Sequence, residues 1–161
     1  MNEMLITPAG LARLEAELDR LRTESRREAA ERLRHAATTD ADVTESSDFR
    51  VALEEKARLE ARIAQLDQRL AETEIAVADH DNGVIDLGER VRLRNLDTGR
   101  RIEYQVVGTL EADLPSGRIS AVSPLGRALL GRRRGDVVLV DAPGGVRRFK
   151  ILRIEPAHAA A

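Results

Sequence analysis

The sequence has no cysteine and no tryptophan, and only one tyrosine and two phenylalanines among its 161 residues. Without cysteine there are no disulfides, no thiol catalysis and no cysteine-ligated zinc or iron–sulfur centre. Tyr104, Phe49 and Phe149 are the whole aromatic complement, so stacking of nucleic-acid bases on aromatic rings is nearly excluded as a binding mode. No apolar run approaches a membrane span or a signal-peptide core, and the chain begins polar; the expectation is a soluble, cytoplasmic protein with no membrane partner. Lysine is scarce, 2 residues against 24 arginines, a bias that a GC-rich genome explains better than function does.

What the chain has in abundance is charge, at 34% of residues, and it is unevenly placed. Residues 1–77 hold 17 acids and 12 bases, a net of −5, whereas residues 78–161 hold 11 acids and 14 bases, a net of +3. An acidic half joined to a mildly basic half is not the footprint of an autonomous nucleic-acid binder.

The two halves differ in period. Residues 8–36 read as a helix, with Thr7 as cap and Pro8 at the first position. Leu11, Leu14, Leu18 and Leu21 are spaced as a coiled-coil seam, which weakens to Ala29, Ala30, Leu33, Ala36 and Ala37. Residues 46–77 form a second helical pattern in which Leu59, Ile63, Leu66 and Leu70 repeat the spacing, with Val77 one heptad further. The short connector implies antiparallel neighbours, and about 30 residues per helix gives a rod about 45 Å long.

Between these helices lie Asp40, Asp42, Glu45 and Asp48, with no lysine or arginine from Ala36 to Phe49. Carboxylates crowded on the tip of a rod repel one another, so the fold does not ask for them there. A divalent metal belonging to a partner would. Asp42 and Glu45 could instead be a capping arrangement for the second helix, although Asp40 and Asp48 are surplus to that need.

Asp79-His80-Asp81-Asn82-Gly83 breaks the helical pattern and reads as a linker. His80 there is read as a polar residue rather than a metal ligand. Beyond it the period becomes two. Val91 and Leu93 alternate with arginines, residues 95–99 form a turn, and Ile102, Tyr104 and Val106 alternate on a second strand. Ile119 and Ala121 suggest a third. Ser123-Pro124 starts a short helix through Leu130, closed by Gly131. Residues 137–140 read as a buried strand and 148–154 as the last strand, joined by a turn at Pro143-Gly144-Gly145. Arg132, Arg133 and Arg134 read as a solvated turn before Gly135. The fold class expected is α+β: an N-terminal antiparallel helical coiled coil over 1–77, a linker at 78–83, an antiparallel sheet with one helix over 84–156, and a tail at 157–161.

Together these residues resemble the bacterial Gre transcript-cleavage factors over nearly the whole chain. Thr7-Pro8-Ala9-Gly10-Leu11 followed by Leu14 and Glu17-Leu18 is similar to the family's opening. Asn95-Leu96-Asp97, Tyr104-Gln105-Val106-Val107-Gly108, the run Ser123-Pro124-Leu125-Gly126-Arg127-Ala128-Leu129-Leu130-Gly131, Gly135-Asp136-Val137-Val138 and Pro143-Gly144-Gly145 follow in order. The resemblance implies a C-terminal domain like the FK506-binding proteins, which docks at the secondary channel of RNA polymerase through Ser123, Pro124, Leu125 and Arg127. It implies a coiled coil reaching the active centre, where Asp42 and Glu45, assisted by Asp40 and Asp48, help hold an Mg²⁺ shared with the polymerase. The protein would be a monomer, bind no cofactor of its own and have no catalytic pocket of its own. Two acids three residues apart can face the same way across one turn, and Mg²⁺ takes one or two carboxylates beside waters and phosphates.

The chain departs from the family at its basic patch. The arginine before the tip falls at Thr38, the one a turn into the second helix at Leu53, and the basic residue between the acids at Thr44, while Phe49 replaces a tyrosine. Each lost cation removes attraction for phosphate, so contact with nascent RNA is expected to be weak or absent. The function expected is a divergent, non-cleaving Gre-like factor that places its tip near the catalytic Mg²⁺ and inhibits transcription. The alternative is conventional stimulation of transcript cleavage. A prolyl isomerase would need an aromatic-lined pocket, and a coiled-coil adaptor would not explain the acidic tip.

Overall fold

The computed structural model describes residues 4–39, 47–77 and 79–156. Contacts divide the chain into two compact units: the described part of Ala12–Glu72, and the residues up to Leu11 together with those from Thr73 onward. Contacts therefore change hands at 11/12 and 72/73, rather than at the expected 77/78 boundary.

The helical unit is built from α1 (Pro8–Arg20) beyond its first turn, a π-helical turn (Leu21–Ser25), α2 (Arg26–Thr39) and α3 (Ser47–Ala71). Thr7 caps α1 as expected, its hydroxyl accepting the Gly10 N–H at 3.0 Å. Leu18, Ile63 and Leu66 are buried, with Leu21, Leu59 and Leu70 packed against them. Beyond the π-helical turn the buried layers are Ala29, Ala36 and Ala52. The seam does not simply weaken. It steps from Leu21 to Ala29, eight residues instead of seven, and Leu33 and Ala36 keep the new phase. The π-helical turn absorbs the extra residue, with the Arg26 N–H reaching the Leu21 carbonyl. The Thr23 hydroxyl donates to the Asp19 carbonyl at 2.9 Å within the same widened turn.

Ion pairs flank the seam. Arg22 meets Asp67, Arg26 grips Glu60 through two bonds of 2.8 Å, and Arg32 meets Glu55 at 3.2 Å. Partner numbers fall as the arginine numbers rise, which is the signature of antiparallel helices. α3 ends at Ala71, short of the expected Val77, and Val77 is 97% exposed instead of continuing the seam. The chain leaves the helix because β2 (Glu74–Ile75) pairs in parallel with β1 (Leu5–Ile6). The Glu74 and Ala76 N–H groups donate to the carbonyls of Met4 and Ile6, each at 2.8 Å.

In the globular unit, β3 (Arg90–Asn95), β4 (Arg101–Val107), β5 (Arg118–Ser120), β6 (Val137–Ala142) and β7 (Gly145–Glu155) form one sheet in the order β5-β4-β3-β7-β6. Helix α4 (Pro124–Leu129) lies between β5 and β6 in sequence. The class is α+β, as expected, but the sheet is mixed rather than wholly antiparallel. β5 runs parallel to β4 because two 3₁₀ turns, Thr109–Glu111 and Leu114–Ser116, carry the chain over before it re-enters the sheet. Alternation does the rest: Val91, Leu93, Val106, Val138, Val140, Phe149 and Ile151 point inward with Leu129 of α4, and charged residues point outward. The turn at 95–99 is closed by the Asn95 side chain, which accepts the Asp97 and Thr98 N–H groups, and by Gly99 at φ 73°.

Candidate functional site

The run from Ser120 to Leu130 folds as its sequence dictates. Ser123 is the N-cap of α4. Its hydroxyl accepts the Gly126 N–H at 3.1 Å and donates to the Ser120 carbonyl at 2.6 Å. Pro124 occupies the first turn, where a missing N–H costs nothing. Gly126 is required because a Cβ there would overlap the Ser120 carbonyl. Leu129 is fully buried, Leu125 and Ala128 are half-buried, and Arg127 is exposed.

These elements wall an apolar groove of about 510 Å³. Ser123, Pro124 and Leu125 form one side of it, and Tyr104, Ile119 and Val140 contribute from the sheet. Leu114, 63% exposed, extends the apolar surface. The structure thus brings together three of the four residues expected to dock. Arg127 shares their helix but does not line the groove. Tyr104 is the one aromatic residue in the lining, while Phe149 is in the core. That lining falls short of the aromatic-walled pocket of a prolyl isomerase.

The tip residues Asp40, Asp42 and Glu45 lie outside the described residues. Asp48 is exposed in the first turn of α3, where a negative charge is favoured by the helix dipole. It borders a shallow groove with Arg32, His35, Val51 and Glu55. The two positions where the resemblance led to an expected arginine are open: Thr38 is exposed, with its hydroxyl on the His35 carbonyl at 2.9 Å, and Leu53 is 43% exposed. Neither is a seam layer. Arg132, Arg133 and Arg134 are exposed in a turn tied by its backbone to Ile85 and to the Asp136 carboxylate. His80 is anchored, with Nδ1 3.0 Å from the buried Glu89 carboxylate, which also accepts the Asp86 N–H at 2.9 Å.

One constellation has no counterpart in the reading of the sequence. Glu111, 6% exposed, accepts the Thr7 N–H at 2.9 Å, the Gly108 N–H at 3.0 Å and the Thr7 hydroxyl. A Cβ at Gly10 would overlap its carboxylate, and one at Gly108 would overlap the Leu5 carbonyl. The first turn of α1 is therefore rooted in the globular unit by a buried charge bonded on both oxygens, the condition under which such burial is tolerated. The signal was present: a glycine inside a helix costs about 1 kcal/mol relative to alanine and calls for a packing reason.

The comparisons with known proteins agree from both ends of the chain. Residues 4–75 match the family model for the transcription elongation factor N-terminal domain, and residues 80–156 match that for the C-terminal domain of the transcription elongation factors GreA/GreB. Transcription elongation factor GreA of Acetivibrio thermocellus is 39% identical over 153 residues, covering 94% of this chain and 96% of that protein. The GreA of Thermotoga neapolitana is 36% identical over 154 residues, covering 96% and 98%. Among solved structures, the GreA factor homolog 1 (Gfh1) protein of Thermus thermophilus is 38% identical, covering 96% of this chain and 99% of that one, with a TM-score of 0.42.

Proposed function

The chain belongs to the GreA/GreB family of transcription elongation factors, and on that premise we propose that it binds RNA polymerase at the secondary channel and inhibits transcription rather than stimulating cleavage. The globular unit docks through Ser123, Pro124, Leu125 and Arg127. The acidic tip is presented to the active centre, where Asp42 and Glu45 offer the hard oxygen ligands that suit Mg²⁺. The protein acts on the polymerase's own chemistry and works as a monomer without a cofactor.

The observation that carries the inhibitory reading is that Thr38 and Leu53 themselves carry no charge. Both are exposed, so arginine would fit at either, yet neither carries a cation. Support for the docking half comes from a cap, a proline and a close-packed glycine that hold Ser123, Pro124 and Leu125 on one wall of an apolar groove. A factor with its docking surface intact, whose tip is flanked only by Arg34, His35 and Arg50, occupies the channel with a weak hold on extruded RNA. The second reading, conventional cleavage stimulation, keeps its force from the GreA-named relatives.

Changing Asp42→Asn together with Glu45→Gln tests the role of the tip. The double variant should bind core polymerase as the parent does and lose inhibition, and added Mg²⁺ should relieve inhibition by the parent. Inhibition unchanged in both arms would replace metal capture with steric blocking.

A further inference from the structure

Residues directly opposite one another in a sheet share a face. On the outer face of this one stand Arg90, Arg92 and Arg94 of β3, Arg101 of β4, and Lys150 and Arg153 of β7, all exposed. Arg92 is neutralised by Glu103 at 3.1 Å and Arg153 by Glu155 at 2.9 Å. The centre of the face is different. Arg94 lies opposite Arg101 on one side and opposite Lys150 on the other, and none of the three forms an ion pair with another described residue. With strands about 4.8 Å apart, they make a row of three cations about 10 Å long across β4, β3 and β7, and the arginines of β3 continue from it in steps of about 6.8 Å. Like charges set directly opposite destabilise a sheet. The fold does not ask for this row.

We propose that this face binds the phosphodiester backbone of single-stranded RNA without regard to base sequence. Phosphates at regular intervals match cations at regular intervals, and the planar guanidinium fork suits a phosphate's paired oxygens. Base stacking contributes nothing, since Tyr104 lines the groove and Phe149 sits in the core. A broad face of a five-stranded sheet does not enter a duplex groove, which admits a helix or a two-stranded ribbon. An acidic protein surface is the poorer fit. Protein interfaces are anchored by apolar side chains at their centre, and here the exposed apolar residues Val137 and Leu139 stand on edge strand β6, beside the cations rather than among them. The contact is separate from the acidic tip and does not depend on how the tip acts.

The test is fluorescence anisotropy of the full-length protein with labelled oligo-A and oligo-U dodecamers between roughly 50 and 200 mM salt. The two RNAs should bind alike. Replacing Arg94, Arg101 and Lys150 together by Gln should weaken binding by about tenfold or more at the low-salt end. It should also flatten the log–log salt slope by about 2, since each single-strand phosphate contact contributes about 0.7. Circular dichroism should show the variant melting at the same temperature as the parent or higher, because a repulsion has been removed. If the triple variant does not fold, Arg94→Gln alone should flatten the slope by about 0.7. The proposal is overturned if the parent binds neither RNA at low salt, or if a folded variant binds as the parent does. Loss of core-polymerase binding in the variant, with no RNA binding by the parent, would assign the face to an acidic protein surface.

Discussion

The helical and globular units achieve stability by different means. The globular unit buries eleven side chains in one cluster between its sheet and α4. The helical unit gathers Leu18, Ile63 and Leu66 into its cluster and continues beyond the π-helical turn on alanines. Its remaining support is a row of solvated ion pairs, each of which contributes little on its own. One unit is a core with charges added outside; the other is a thin seam between two charged flanks. Alanine layers allow helices to approach closely, so the half of the helical unit nearer the tip is slender at the expense of apolar burial.

The largest effect that would sharpen this contrast is expected from Leu129→Ala. Leu129 is fully buried, and its truncation should cost the globular unit about 3–5 kcal/mol. Native-state hydrogen exchange should show the loss in β3–β7 while α2 and α3 keep their protection. Equal loss in the helices would break the contrast. Ile63→Ala should cost about 2–4 kcal/mol and do the reverse, lowering the helical signal in circular dichroism with the strands still protected. Gly10→Ala should cost about 1–3 kcal/mol by driving a methyl group into the Glu111 carboxylate. Its mark would be faster exchange of the Thr7 and Gly108 amides. An alanine there that leaves both amides protected would show that the clamp has room.

The smallest effect is a pH dependence of the helical unit. Its two bonds to Arg26 hold the Glu60 carboxyl below the usual carboxylate range. A lowered folded value means that the pair's stabilisation is present above the unfolded value and is lost as pH falls through the folded one. Thermal melting followed from neutral pH down through the carboxylate range should fall more steeply for the parent than for Glu60→Gln. Parallel curves would remove the pair from the account.

Most of this architecture was legible in the sequence because its signals are local. Leucines three and four apart gave the helices, alternation gave β3 and β4, and Ser123-Pro124 with Gly131 bounded α4; the apolar run of β6 read as a buried strand, but β6 lies at the sheet edge and alternates, leaving Val137 and Leu139 exposed. The π-helical turn was also legible, in the eight-residue step from Leu21 to Ala29, but a fading seam conceals a shift of phase. The rest required tertiary partners. β1 and β2 are two residues each and exist because segments about seventy residues apart pair with one another. The parallel entry of β5 depends on the two 3₁₀ turns before it. Nothing near Glu111 in the sequence marks it, because its partner Thr7 is brought beside it only by the fold. A fragment beginning at residue 78 would lack β1, β2 and Thr7, so the globular unit is better tested in the whole chain. In the run from Ser123 to Gly131, cap, proline and glycine were readable in order, whereas the groove that they wall was not, because its opposite side comes from β4, β5 and β6.

The central claim is that the missing cations beside the tip, and not the acids on it, separate this chain from a cleavage factor. Stalled, backtracked transcription complexes, read by the length of their RNA, test it directly. With the parent protein the backtracked RNA should keep its length. With Thr38→Arg and Leu53→Arg made together, at two exposed positions that tolerate the change, the RNA should shorten. Efficient shortening by the parent, or none by a folded double variant that still binds polymerase, would contradict the account.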